Sequence, residues 1–327
     1  MFNEKIIPQT RSNYSNSNVT RPYPNHVDSV EQSHPSIFTT KITPTFMVHA
    51  LNFDPSHPWL LKLCLSWIKS YYHESNAHLK IASLLAHTAP TLTNLVTYGK
   101  ILDQKNMCLE AINFFEQALL KKPKEDKILF EIYNFLGNAY LKLLDYESAE
   151  ENYHKAFTIN PHSSQLNVNL GTLAIHKNDW YRVQYYFREA LKLDLKNDKA
   201  WTGLAMYHHY LGDLELAIAS VKKALDINPS NRPALLLLAQ WNSSSKIQET
   251  INYIARYLDE NHFDEEISIL FIHFCVRNQD FDLAEIEMEK LVCLNPKNIK
   301  YYEMYQELQE ANNESKRISK NCPRTNT

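Results

Sequence analysis

Apolar residues recur at three- and four-residue steps from residue 92 to residue 298, in runs of about a dozen broken by short polar turns. This spacing predicts amphipathic helices rather than strands, and the turns predict that they come in pairs. The pairs also repeat. Pro161, Leu195 and Pro229 stand 34 residues apart, each near the end of a segment with the same internal order of aromatic, leucine and small residues. Segment 130–163 carries Tyr133, Leu136, Gly137, Tyr140, Ala149, Tyr153, Ala156 and Pro161. Segment 198–231 answers with Trp201, Leu204, Ala205, His208, Ala217, Val221, Ala224 and Pro229. Between them, segment 164–197 keeps Leu170, Gly171, Ala174, Phe187 and Ala190, while Asn167 and Leu195 depart from the pattern.

Small residues belong where two helix axes approach, and bulky ones where the gap widens. Gly137 and Gly171 are the small residues of the first helices, and Ala149, Ala156, Ala190, Ala217 and Ala224 those of the second. Tyr133, Tyr153, Trp201 and Phe187 would fill the space around them. The turns Leu144-Asp145-Tyr146, Lys177-Asn178-Asp179-Trp180 and Leu211-Gly212-Asp213 each place a capping residue before the second helix. Pro161 and Pro229 would stop that helix, because proline cannot continue its hydrogen-bond ladder.

The 34-residue period and these positions resemble the tetratricopeptide repeat, a helix-turn-helix unit. The resemblance implies an all-α, right-handed superhelical solenoid. Six such repeats are expected, at 92–125, 130–163, 164–197, 198–231, 232–264 and 265–298, with residues 126–129 interrupting the register after the first. A worn helical pair or cap is expected over 57–91 and a capping helix over 299–317, since a terminal repeat otherwise leaves its apolar face in water. Residues 1–56 hold six of the fourteen prolines and little apolar periodicity, so they read as a disordered polar leader, apart from an apolar island from Ile42 to Phe53. Residues 318–327 read as a disordered tail.

Composition narrows the function. A net charge of −3, with both signs interspersed, offers no footprint for nucleic acid or an anionic membrane. No apolar stretch reaches the length of a membrane span, and the N-terminal segment lacks the order of a secretory signal. The five cysteines are odd in number and unpatterned, so a cytoplasmic location is expected. The five glycines do not cluster into a phosphate-cradling loop, and no cofactor or small-molecule substrate is implied. His73-Glu74 followed by His78 is one residue too long for a helical zinc motif, so no metal is expected.

In the family that the repeats resemble, the first helix of each unit lines a concave face. Carried onto this sequence, the resemblance implies a peptide-binding groove built from Asn134, Asn138, Lys142, Val168, Asn169, Thr172, His176, Lys199, Thr202, Met206 and Tyr210. Amides both donate and accept, so Asn134, Asn138 and Asn169 suit the peptide groups of an extended ligand. Some family members hold a C-terminal carboxylate with a clamp of lysine, arginine and asparagine. Asn138, Asn169 and Lys199 match that pattern, while Asn134 and Gly203 replace two of its cations. The expected function is a non-catalytic scaffold or adaptor binding a peptide or helix of another protein. Two alternatives are a regulatory or substrate-docking subunit of a separate enzyme, such as a glycosyltransferase, and a dedicated chaperone for a secreted or assembling client.

Overall fold

The structure, a computed structural model, describes residues 57–71, 76–241, 246–261 and 263–321. The leader with its apolar island, the His73-Glu74 pair and residues 322–327 lie outside them. Among the described residues the chain is all-α, with fifteen helices and no strand. The first pair is α1 (Pro58–Tyr71) and α2 (Asn76–Thr88). Six further pairs follow: α3 (Leu92–Gln104) and α4 (Cys108–Leu120), α5 (Asp126–Lys142) and α6 (Tyr146–Ile159), α7 (Ser164–His176) and α8 (Trp180–Leu193). Then come α9 (Asp198–Tyr210) and α10 (Leu214–Ile227), α11 (Arg232–Trp241) and α12 (Ile247–Glu260), α13 (Glu265–Arg277) and α14 (Phe281–Leu294). The last helix, α15 (Ile299–Asn321), packs on α14 and runs past Arg317, where the sequence pattern predicts its end. Residues 126–129 do not form a loop: they extend α5 by one turn at its N-terminus.

Each helix packs on the one before and the one after, so the apolar core runs the length of a right-handed solenoid rather than closing on itself. Glycine sets the closest approaches. A Cβ on Gly137 would stand 2.4 Å from the ring of Tyr153, and one on Gly99 2.8 Å from Phe115. Phe187 is held on two sides: a Cβ on Gly171 would meet its ring at 2.9 Å, and one on Gly203, in the next pair, at 2.1 Å. Tyr153 and Phe187 are accordingly among the largest fully buried side chains.

One turn design recurs between first and second helices. Asn106, Leu144, Asn178, Gly212 and Gln279 occupy the same repeat position, and all have left-handed backbone with φ between 56° and 80°. The residue that follows donates its N–H back to a carbonyl five residues earlier, as Asp145 does to Tyr140 and Asp213 to His208. Three of these following residues also open the second helix. The Asp145, Asp179 and Asp213 carboxylates accept from the backbone N–H groups of Ser148, Arg182 and Leu216, each at 3.1 Å. Neighbouring units are tied by charge as well: Glu150 accepts from Lys177 and from Arg182, and the Lys177 hydrogen bond leads in holding its carboxyl below the usual range.

Candidate peptide-binding groove

The first helices α3, α5 and α7 each touch the first helix of the next unit, and the second helices make no comparable contact with one another among the described residues. In a curved stack the layer with the closer neighbours is the inner one. Helices α5, α7 and α9 carry all eleven residues expected in the groove.

These residues divide into tethered and open groups. Asn134 is buried, and its Oδ1 accepts from Asn169 Nδ2 at 2.9 Å, while Asn169 Oδ1 accepts from Gln165 at 3.0 Å. The three amides thus bridge two repeats. Asn138 Oδ1 accepts from the Tyr153 hydroxyl at 2.8 Å, and burial pushes that phenol far above its ordinary value. Lys142 reaches across to the preceding unit and donates to both the carboxylate and the carbonyl of Asp103, at 2.7 and 2.8 Å. Lys100 similarly meets Glu131 at 2.6 Å. Val168 is buried, and so is Thr202, whose hydroxyl donates to the Asp198 carbonyl and accepts from Asn231. Thr172 donates to the Val168 carbonyl at 2.9 Å. The open group is Lys199, His176 and Tyr210, which are exposed, with Met206 half-buried beside them. Lys199 makes no ion pair among the described residues.

A feature that the sequence pattern did not single out lies at the ends of these first helices. Tyr146 stacks on His176 with centroids 5.7 Å apart, Trp180 on Tyr210 at 4.2 Å, and His209 on Trp241 at 4.4 Å. The Trp180 and Tyr210 planes are within 7° of parallel, and those of His209 and Trp241 within 6°. Each pair spans a junction between consecutive units, so six rings line one rim of the solenoid. The available signal was the recurrence of rings 30 residues apart, Tyr146 to His176 and Trp180 to Tyr210. His208, next to this rim, is partly buried, and burial holds its imidazole below the ordinary value, which favours the neutral ring. Among the described residues no group of three or more His, Cys, Asp or Glu side chains is placed to hold a metal ion. No described helix is long and apolar enough to cross a membrane.

Comparison with known proteins matches residues 130–163 and 198–231 to the tetratricopeptide repeat. The human protein named Protein O-mannosyl-transferase TMTC3 is 25% identical over 153 residues, covering 45% of this chain and 17% of that protein. BBSome complex member BBS4 of Bos taurus is 25% identical over 126 residues, 38% of this chain and 23% of that protein. The matched region thus spans about a fifth of the length of these relatives. Among solved structures, yeast Tom70 superposes with a TM-score of 0.61 at 14% identity, over 83% of this chain and 58% of that one, a likeness of fold. Residues 130–163 and 198–231 are thus tetratricopeptide repeats, and the units around them share the same paired-helix design.

Proposed function

We propose that this chain is a non-catalytic adaptor that holds an extended segment of another protein along the inner face of α5, α7 and α9. The observation that carries this reading is how charge is distributed on that face. Glu131 on this face and Asp103 on the adjoining α3 are each neutralised by a lysine of a neighbouring unit. What remains open is one unpaired cation, Lys199, beside half-buried Met206 and Thr172 and the bridged amides. Such a surface suits main-chain groups and small apolar side chains rather than a polyanion. Asn134 and Asn169 already satisfy one another in part, so they serve as a pre-ordered floor, and ligand contacts fall to Lys199 and Met206, with His176 and Tyr210 at the edge of this floor.

Site-specific photo-crosslinking tests the reading. A crosslinker at Met206 or Lys199 should capture the same partner protein, and one at Tyr181, on the outer side of α8, should not. Capture from Tyr181 alone would reject the groove.

A second reading, a substrate-docking subunit of a separate glycosyltransferase, draws on the 153-residue similarity to a protein named as an O-mannosyl-transferase. It predicts that one transferase co-purifies in fixed stoichiometry with the full chain. A partner pool without such an enzyme would remove this reading and leave the adaptor standing.

A further inference from the structure

We propose that the aromatic rim is a second docking surface, distinct from the groove floor, and that its occupant is an extended segment of a partner protein with arginine at about every third residue. The proposal rests on the reading of this chain as an interaction scaffold, though not on the occupant of the groove. Two independent features meet on this rim. The first is the row of stacked rings, of which Tyr210 is 57% exposed and His176 and His209 are exposed as well. Tyr146, Trp180 and Trp241 pack partly against the core, so the free faces are those of His176, Tyr210 and His209, and a planar guanidinium stacks on such faces.

The second feature is charge. Asp145, Asp179 and Asp213 stand at one repeat position, beside Tyr146, beside Trp180 and three residues after Tyr210. Glu147 and Glu215 add a carboxylate in the first turn of α6 and of α10. The helix N-termini offset only part of this, at about half a positive charge each. Of the nearby cations, Lys142 is engaged on Asp103, Lys177 on Glu150, and Arg182 on Glu150 and Asp179, which leaves Arg188 near His208. Asp145 and Asp213 form no ion pair among the described residues. Rings and carboxylates therefore alternate along the rim, which is the complement of guanidinium groups, not of an acidic or apolar segment.

Spacing sets the period of the ligand. Helices α5, α7 and α9 are in direct contact, which places successive turns about 8–10 Å apart. In an extended chain of polyproline II type three residues make one turn and advance about 9 Å, so every third side chain returns to the same face and one arginine in three meets each successive turn.

The test uses the full chain and a fluorescent peptide of about twelve residues with arginine at every third position among serines, titrated by anisotropy at low and moderate salt. Asp145→Asn with Asp213→Asn removes charge while keeping a capping side chain, so the helices should persist by circular dichroism. That variant should bind about tenfold more weakly, with a shallower salt dependence. Tyr210→Leu should weaken binding by about threefold or more. The groove variants Lys199→Ala and Met206→Ala should leave the affinity unchanged, so failure here is separable from failure of the groove reading. The proposal is overturned if the peptide does not bind, if a proline-and-serine or glutamate version binds equally well, or if the asparagine variant binds like the parent. Self-association of the chain through this rim would overturn it too.

Discussion

Phe187 and Gly203 belong to different repeats, yet a Cβ on Gly203 would lie 2.1 Å from Phe187 Cζ. The ring cannot retreat, because Gly171 closes it in from the other side and the side chain is 1% exposed. Gly203→Ala would ordinarily strengthen a helix by about 1 kcal/mol. Here overpacking outweighs that gain, and the variant should lose about 1–3 kcal/mol in denaturant unfolding. Adding Phe187→Leu should recover part of the loss, as a double-mutant cycle would show. A Gly203→Ala protein as stable as the parent would refute the wedge.

Leu144 is a leucine in a left-handed conformation, with φ of 62°, and it is 63% exposed. A side chain there costs about 1–2 kcal/mol in backbone strain and gains little burial in return. Gly212 fills the same turn position two units later without that strain. Leu144→Gly should therefore raise the unfolding midpoint, with a gain in stability of up to about 1 kcal/mol once the added freedom of the unfolded chain is counted. An unchanged or lowered midpoint would count against the turn geometry.

Asp264 joins the last two repeats. Its carboxylate accepts from Arg232 Nε at 2.7 Å, from the Tyr257 hydroxyl at 2.9 Å and from the Ile267 backbone N–H. Burial by itself would raise this carboxyl, but those donors, Arg232 first among them, hold it below the ordinary aspartate value of 3.8. A carboxyl depressed on folding stabilises the native state fully above its unfolded value, and the contribution disappears as pH falls through the folded one. Asp264→Asn keeps the cap but not the charge. It should cost about 1–2 kcal/mol near neutral pH, and the gap to the parent should close below about pH 4. Thermal melts across that range would show it, and a gap independent of pH would contradict the ion pair.

Tyr153→Phe tests the link between core and groove. It removes the hydroxyl that donates to Asn138 while keeping the ring against Gly137. Asn138 is half-buried, so water can replace the lost donor, and the cost should stay near 1 kcal/mol by chemical denaturation. A loss as large as that of ring removal would mean that the hydroxyl has a different partner.

Periodicity alone made the helical pairs legible, because each apolar stripe must face a neighbour and the small residues mark where axes meet. Gly137, Gly171 and the three capping aspartates were readable one by one in this way. Gly203 was not: by register it is an inner-face position, and only the packing of α8 shows Phe187 occupying its space. Residues 126–129 interrupt the 34-residue register, as the sequence spacing predicts, and only the structure shows that the chain absorbs them as an added turn of helix.

The groove residues follow the same division. Their place on the first helices came from local sequence, since a residue's face on a helix is set by its position in the turn. Which of them are free was decided across repeats: Asn134 meets Asn169, Lys142 meets Asp103 and Trp180 meets Tyr210, all between residues about thirty or more apart in the chain. Sequence by itself determined the helices, their pairing and the repeat family, because those depend on short-range spacing. Only the tertiary stack decided which polar groups are already satisfied and which rings form a rim, because those depend on contacts that no single repeat contains.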